Sequence, residues 1–133
     1  MHLIVCIDDR DGMAFCGRRL SRDREVITHI QAQTNGCRLW MHPQSAQLFA
    51  DATVEADPDF LKKVQSGDYC FAETTPLPNE WENLESVTLY YWNRTYPSTL
   101  RFPRSLLRRM HLVRTETFPG NSHETITMEY YTV

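Results

Sequence analysis

The sequence predicts an α/β domain, a three-layer α/β/α arrangement around a mostly parallel central sheet with a C-terminal antiparallel hairpin. Three observations predict it. The opening run Leu3-Ile4-Val5-Cys6-Ile7 is apolar on both faces, as a strand covered from both sides must be. Helix signals then alternate with short β-favouring runs, the order that builds a parallel sheet. Two final β-favouring runs flank Pro119-Gly120-Asn121-Ser122, a loop that returns the chain as a hairpin.

The first strand, Leu3 to Ile7, stops at Asp8-Asp9, and Asp11-Gly12 reads as a turn before an irregular stretch from Met13 to Leu20. Ser21 reads as the N-cap of a helix from about Arg22 to Thr34, stopped by Asn35-Gly36. Val26, Ile27 and Ile30 give that helix an apolar face, and Asp23 lies one turn before Ile27 on the same side. Cys37 to Met41 is a second short strand, broken by His42-Pro43. Pro43 suits the first turn of a helix reaching about Ala50, with Ala46 and Phe49 inward. Asp57-Pro58 opens a short helix, Asp59 to Gln65, that ends at Ser66-Gly67. Tyr69 to Ala72 is a third strand, and Glu80 to Leu84 fits one helical turn. Val87 to Asn93 is a long strand with Val87, Leu89 and Tyr91 on one face and Thr88, Tyr90 and Trp92 on the other. Leu112 to Phe118 and Thr125 to Thr132 form the closing hairpin.

Composition fits one domain over residues 1–133. With 41% hydrophobic and 23% charged residues, the chain has the apolar content to build a core without staples. The net charge of −3 argues against an extended nucleic-acid surface. The charge is uneven, however. Arg10, Arg18, Arg19, Arg22 and Arg24 fall in one stretch, and Arg101, Arg104, Arg108, Arg109 and Arg114 in another. Such a local concentration suits a small anionic or nucleotide-like ligand. The cysteines Cys6, Cys16, Cys37 and Cys70 show no CxxC spacing, and three of them sit in apolar runs. Free buried thiols in a reducing compartment are expected, with no metal site. The apolar opening is too short for a signal peptide or a membrane span, so a cytoplasmic protein without a membrane segment is expected. No residue pattern sets an oligomeric state.

The C-terminal third carries a family resemblance. Leu89-Tyr90-Tyr91-Trp92-Asn93, then Leu100-Arg101-Phe102-Pro103, then a strand, Asn121-Ser122-His123 and a last strand resemble the closing segment of bacterial dihydrofolate reductases. The opening is similar in order too: an apolar strand, a Gly-containing loop, a helix with a carboxylate in its first turn, a short strand and a helix. The resemblance implies a shortened dihydrofolate-reductase-like fold. It also implies that Asp23 occupies the place of the family's substrate-binding acid, which grips the pterin ring and supports its protonation. Next to Ile27 and Ile30, such a carboxyl is expected to point into a cleft with a raised pKa. The competing reading of Asp23 is an acid in the first turn, favoured by the helix dipole.

Several family features are missing. Where the reductases place a Gly-Arg pair for cofactor phosphates, this chain has Met41-His42-Pro43; where they place Gly-Gly, it has Ala72-Glu73-Thr74. Glu73 would oppose a phosphate, and Arg18-Arg19-Leu20 replaces the family's Pro-Trp. No cofactor is therefore expected, and NADPH-dependent reduction is not. The chain also resembles small Firmicutes proteins that carry the name ribonuclease Z, through a DDRxGM…RRxSRDR…RLWM opening and an SHExIT ending. The chemistry of that name needs an HxHxDH zinc motif. The five histidines here, His2, His29, His42, His111 and His123, include no two within three residues of each other.

The site candidates are therefore Arg18, Arg19 and Arg22 for binding an anion, with Asp23 as a binding or catalytic acid. The arginines either clamp a phosphate or carboxylate beside a helix N-terminus or form a solvated loop paired with Asp8, Asp9, Asp11 and Glu25. Ser122-His123-Glu124 cannot form a nucleophile–base line among themselves, because neighbours in an extended turn point apart. Trp40, Trp81, Trp92 and Tyr90 read as core aromatics rather than a stacking platform. Three functions stay open: a small-molecule binding protein, a protein-interaction module, and a reductase-type enzyme using Asp23.

Overall fold

The computed structural model describes residues 1–49 and 52–133. Its early elements are β1 (His2–Ile7), β2 (Gly12–Phe15), β3 (Arg18–Arg19), α1 (Arg24–Gln33), β4 (Leu39–Met41), α2 (Pro43–Ala46) and β5 (Glu55–Ala56). These are followed by α3 (Phe60–Lys63), β6 (Tyr69–Ala72), β7 (Ser86–Tyr91), β8 (Leu100–Arg101), β9 (His111–Phe118) and β10 (Ile126–Thr132). One sheet has seven strands in the order β5-β4-β6-β1-β7-β10-β9, and a small one has the order β3-β2-β8.

The apolar opening run is the middle of the large sheet. Val5 lies opposite Ala72 of β6 and Leu89 of β7, both parallel. Leu3, Val5 and Ile7 enter one core with Phe60, Val64, Leu84, Val87, Leu89, Phe102 and Leu106. Ile4 and Cys6 enter the other with Val26, Ile30, Phe49, Phe71, Tyr90, Trp92, Ile126 and Met128. Those two cores are the covered faces of a three-layer domain, and each large buried side chain contributes about 1.5–3 kcal/mol. β10 runs antiparallel to both β7 and β9, so the tail is a paired hairpin at one edge. No helix among the described residues is long and apolar enough to cross a membrane.

Several local expectations are corrected. Helix α1 starts at Arg24, and its N-cap is Asp23 rather than Ser21; Asp23 is extended (φ −152°, ψ 128°) and accepts the N–H of Glu25. Cys37 and Arg38 are exposed and precede β4, so the second strand is shorter and that thiol is not buried. Helix α2 passes into a 3-10 turn at Gln47–Phe49; its expected end at Ala50 lies outside the described residues. Helix α3 begins at Phe60 and closes by Lys63, one residue later and two earlier than the composition suggests. Glu80 to Leu84 forms a turn, closed by the Leu84 N–H on the Trp81 carbonyl, and no helix. β7 is buried on both faces over Ser86 to Tyr90, because α1 covers one side and the loop around Leu106 the other.

The stretch Met13 to Leu20 is ordered as the hairpin β2–β3, with β8 added. Its two-residue loop, Cys16-Gly17, has φ of 49° and 78°, the left-handed pair that the twist of a tight hairpin requires.

Candidate functional site

β1 is the point at which the strand order reverses: β4 and β6 lie on one side of it and β7 on the other. In open α/β sheets ligands bind in the crevice beyond the carboxyl ends at such a point. Asp8, His42, Glu73 and Trp92 stand at those ends. Asp8 is buried; its Oδ1 accepts the N–H groups of Arg10 (2.8 Å) and Gly12 (2.7 Å), and its Oδ2 that of Tyr96 (2.9 Å). Burial pushes its pKa up, but those N–H groups outweigh burial and hold the carboxyl below its ordinary value. Asp8 therefore shapes the first loop and ties it to the segment after β7.

Glu73 is the second buried acid. Arg19 reaches from β3 across the sheet end, with Nε 3.1 Å from both Glu73 oxygens and one terminal nitrogen donating to the Gln44 carbonyl at 2.9 Å. Ser45 Oγ donates to Glu73 Oε1 at 2.7 Å. Burial raises the Glu73 pKa, against the Ser45 hydroxyl and the Arg19 charge. This ion pair fills the carboxyl end of β6. Burial likewise lifts the Cys6 thiol, and the nearby charges of Glu73 and Asp23 add to it.

Asp23 is fully enclosed, at 0% side-chain exposure. Its Oδ1 accepts the N–H groups of Glu25 (2.9 Å) and Asn121 (2.8 Å), and its Oδ2 those of Ser122 (2.9 Å) and His123 (3.0 Å). The His123 ring adds Nδ1 at 2.9 Å. The expected raised pKa is corrected to a lowered one. Burial does push it up, yet the donors on Asn121, His123, Glu25 and Ser122 win and hold the carboxyl well below the usual range. Asp23 caps α1 and, with the same carboxylate, pins the β9–β10 loop. A methyl group on Gly120 would stand 2.7 Å from Asp23 Oδ2 and 2.5 Å from the His123 carbonyl, so glycine is required there.

The predicted arginines separate. Arg19 is committed to Glu73 and Gln44. Arg18 and Arg22 are exposed, and among the described residues neither forms an ion pair. Arg22 stands directly before the α1 cap, and its carbonyl accepts Ser122 Oγ at 2.8 Å.

His123, which the sequence places in a turn with no catalytic neighbour, is a functional candidate in the structure. Besides Asp23, its Nε2 meets Ser21 Oγ at 3.0 Å and Tyr96 OH at 3.2 Å, and its ring stacks on Trp92 at 4.7 Å. Its partners lie up to 102 residues away in sequence, so no local pattern announces them. A groove of about 380 Å³ borders it, lined by Trp92, Asn93, Arg94, Ser122, Glu124 and Thr125. A larger groove, about 610 Å³, lies between the far end of α1 and residues 52–55, with none of the predicted site residues in its walls. Among the described residues no group of three His, Cys, Asp or Glu is placed to hold a metal ion.

No protein-family model matches this sequence, and no curated protein matches it. Among solved structures, the dihydrofolate reductase from Enterococcus faecalis, complexed with NADP(H) and RAB-propyl, superimposes with a TM-score of 0.68. The match covers 98% of this chain and 94% of that one at 9% sequence identity. Likeness at that identity speaks to the path of the backbone and to nothing finer. With its central β1, its parallel β4, β6 and β7 and its closing hairpin, this chain has a dihydrofolate-reductase-like fold.

Proposed function

We propose that the chain is a binding protein for a small anionic or nucleotide-like ligand, held by Arg18 and Arg22 at the N-terminal end of α1. The observation that supports this reading is the division within the arginine cluster. One guanidinium neutralises a buried glutamate of the fold, while Arg18 and Arg22 stay exposed, Arg22 directly before a helix start whose N–H groups favour negative charge. The Enterococcus faecalis reductase of the same fold was solved with NADP(H), which makes a ligand of that class a reasonable first probe. Reductase chemistry through Asp23 is less well supported, since backbone and ring donors already engage both carboxylate oxygens.

Thermal-shift measurements with inorganic phosphate, mononucleotides, a pterin and NADPH test the reading. A ligand at 100 times its Kd stabilises by about 2.7 kcal/mol. The shift should disappear in the Arg18→Ala, Arg22→Ala double variant. A silent response to all four probes contradicts the reading, as does a shift that survives the double substitution.

One observation favours a second reading, a protein-interaction module. β9 is an eight-residue edge strand, exposed from His111 to Thr115, with Leu112 49% and Val113 60% exposed. Such an edge offers unpaired backbone groups to another strand. Val113→Lys should abolish any self-association seen by sedimentation; an unchanged profile removes this reading.

A further inference from the structure

Three side chains from separate parts of the sequence form one hydrogen-bonded line. Ser21 Oγ lies 3.0 Å from His123 Nε2, and His123 Nδ1 lies 2.9 Å from Asp23 Oδ2. The order hydroxyl, imidazole, buried carboxylate is the arrangement by which unrelated folds activate a serine, and it is recognised by geometry rather than by sequence position. Asp23 also accepts the backbone N–H of His123 at 3.0 Å, so carboxylate and histidine are joined at two points and the ring cannot swing. Trp92 stacks on the ring with an interplanar angle of 22° and fixes its plane.

The chemistry of the two ring nitrogens follows. An ionised carboxylate only accepts, so Nδ1 carries the proton and donates it to Asp23. In the neutral ring Nε2 then presents a lone pair toward Ser21 and Tyr96. Ser21 is the nearer at 3.0 Å, against 3.2 Å for Tyr96. Ser21 is only partly buried, whereas Asp23 and His123 are buried, so the line runs from the interior to the surface. Ser122, the other hydroxyl near the ring, is not equivalent: its Oγ donates to the Arg22 carbonyl at 2.8 Å and stands 3.5 Å from Nδ1, the wrong nitrogen for a base.

We propose that Ser21 is a nucleophile and His123 its general base, with Asp23 as the positioning residue, in the hydrolysis of a small carboxylic ester that bears an anionic group. Ser21 Oγ bonds to the ester carbonyl carbon as its proton passes to His123 Nε2. The tetrahedral adduct collapses with cleavage of the bond to the alcohol oxygen, which takes the proton back from Nε2. Water, deprotonated by the same nitrogen, attacks the acyl-serine, releases the acid and restores the Ser21 hydroxyl. A groove of about 380 Å³, lined by Trp92, Asn93, Arg94 and residues 122–125, adjoins the His123 side of this line. The anionic group is assigned to Arg18 and Arg22, and that half of the inference rests on the binding reading above.

The full chain is treated with a neutral fluorophosphonate probe and the modified residue is located by mass spectrometry; turnover of 4-nitrophenyl acetate is followed in parallel. Labelling at Ser21 is expected, absent in Ser21→Ala, a substitution at a partly exposed position whose fold circular dichroism verifies. His123→Gln should slow labelling by about 100-fold or more if it remains folded. Asp23→Asn, which keeps a capping oxygen, should slow labelling and also change its pH profile, because the imidazole loses its carboxylate partner; a loosened loop alone would slow labelling equally at every pH. A probe that leaves Ser21 unmodified while labelling a serine hydrolase in the same tube overturns the proposal, as does turnover unaffected by Ser21→Ala. The neutral probe does not need the arginines, so its failure leaves anion binding standing. Conversely, labelling at Ser21 without preference for an anionic half-ester over 4-nitrophenyl acetate, or a preference untouched by Arg22→Ala, removes the anionic part alone.

Discussion

Asp23 shows how one side chain can serve as several parts of a fold. As a helix cap it is replaceable at about 1 kcal/mol. As the acceptor for three N–H groups of residues 121–123 it is not, because removing it takes the partner from all three and leaves the buried His123 donor unmatched at about 1–3 kcal/mol. Asp23→Ala should therefore lower the unfolding free energy by about 3 kcal/mol or more in urea titrations; a loss confined to the capping value would show that the loop holds itself. The pH dependence follows from the depressed pKa. Its stabilisation is complete above the ordinary carboxyl value of 3.8 and drains away as pH falls through the lower folded value. Asp23→Asn should flatten that part of the acid limb and leave the region above pH 4 parallel to the parent. Gly120→Ala should perturb the same centre without touching a charge, since its methyl group must displace Asp23 or the His123 carbonyl. Asp23 itself stands out in the sequence as a carboxylate before an apolar helix. Its burial and the direction of its pKa do not, because they are set by a loop 98 residues away.

At the scale of elements, Arg19 and Glu73 join the small sheet to the large one. Glu73 has 5% side-chain exposure and Arg19 28%. Breaking a buried pair leaves an uncompensated charge, worth about 3–5 kcal/mol, and water reaching the Arg19 side places this case near the lower end. Arg19→Ala should cost about 3 kcal/mol, and Glu73→Gln in that background should restore much of it; chemical denaturation of the four species gives the coupling. Glu73 has the opposite pH sign to Asp23. Its folded pKa is raised above 4.5, so its contribution is full below that value and is lost as pH rises through the folded pKa. The stability of Glu73→Gln relative to the parent should accordingly improve as pH rises past 4.5. Elements with strong local signals were legible: the all-apolar β1, the Val26/Ile30 face of α1, β6, and the hairpin around Pro119-Gly120. The two-residue strands β3, β5 and β8 carry no period to read, and Cys16-Gly17 lacks the Asn-Gly signature of tight hairpins. The Ser21 cap failed because the structure puts the first helical turn two residues later, where Asp23 can serve helix and loop together.

At the scale of the whole molecule, the order of apolar strands and helix signals was enough for the topology, since a run apolar on both faces has no stable place at a sheet edge. The site was less legible. The sequence marks five arginines within fifteen residues, but only tertiary structure separates the one spent on Glu73 from the four left at the surface. Nor does sequence spacing bring Ser21 to His123. Which of these groups face outward together is thus decided by how the first loop folds over the carboxyl ends of the strands. Amide chemical-shift mapping of the isotope-labelled chain, titrated with a mononucleotide, reports on that directly. The account predicts saturable shifts concentrated in residues 18–24 and 120–124, where the arginines and the pinned loop meet. Shifts gathered instead around residues 31–39 and 52–55, in the larger groove, or a spectrum that does not respond, would contradict it.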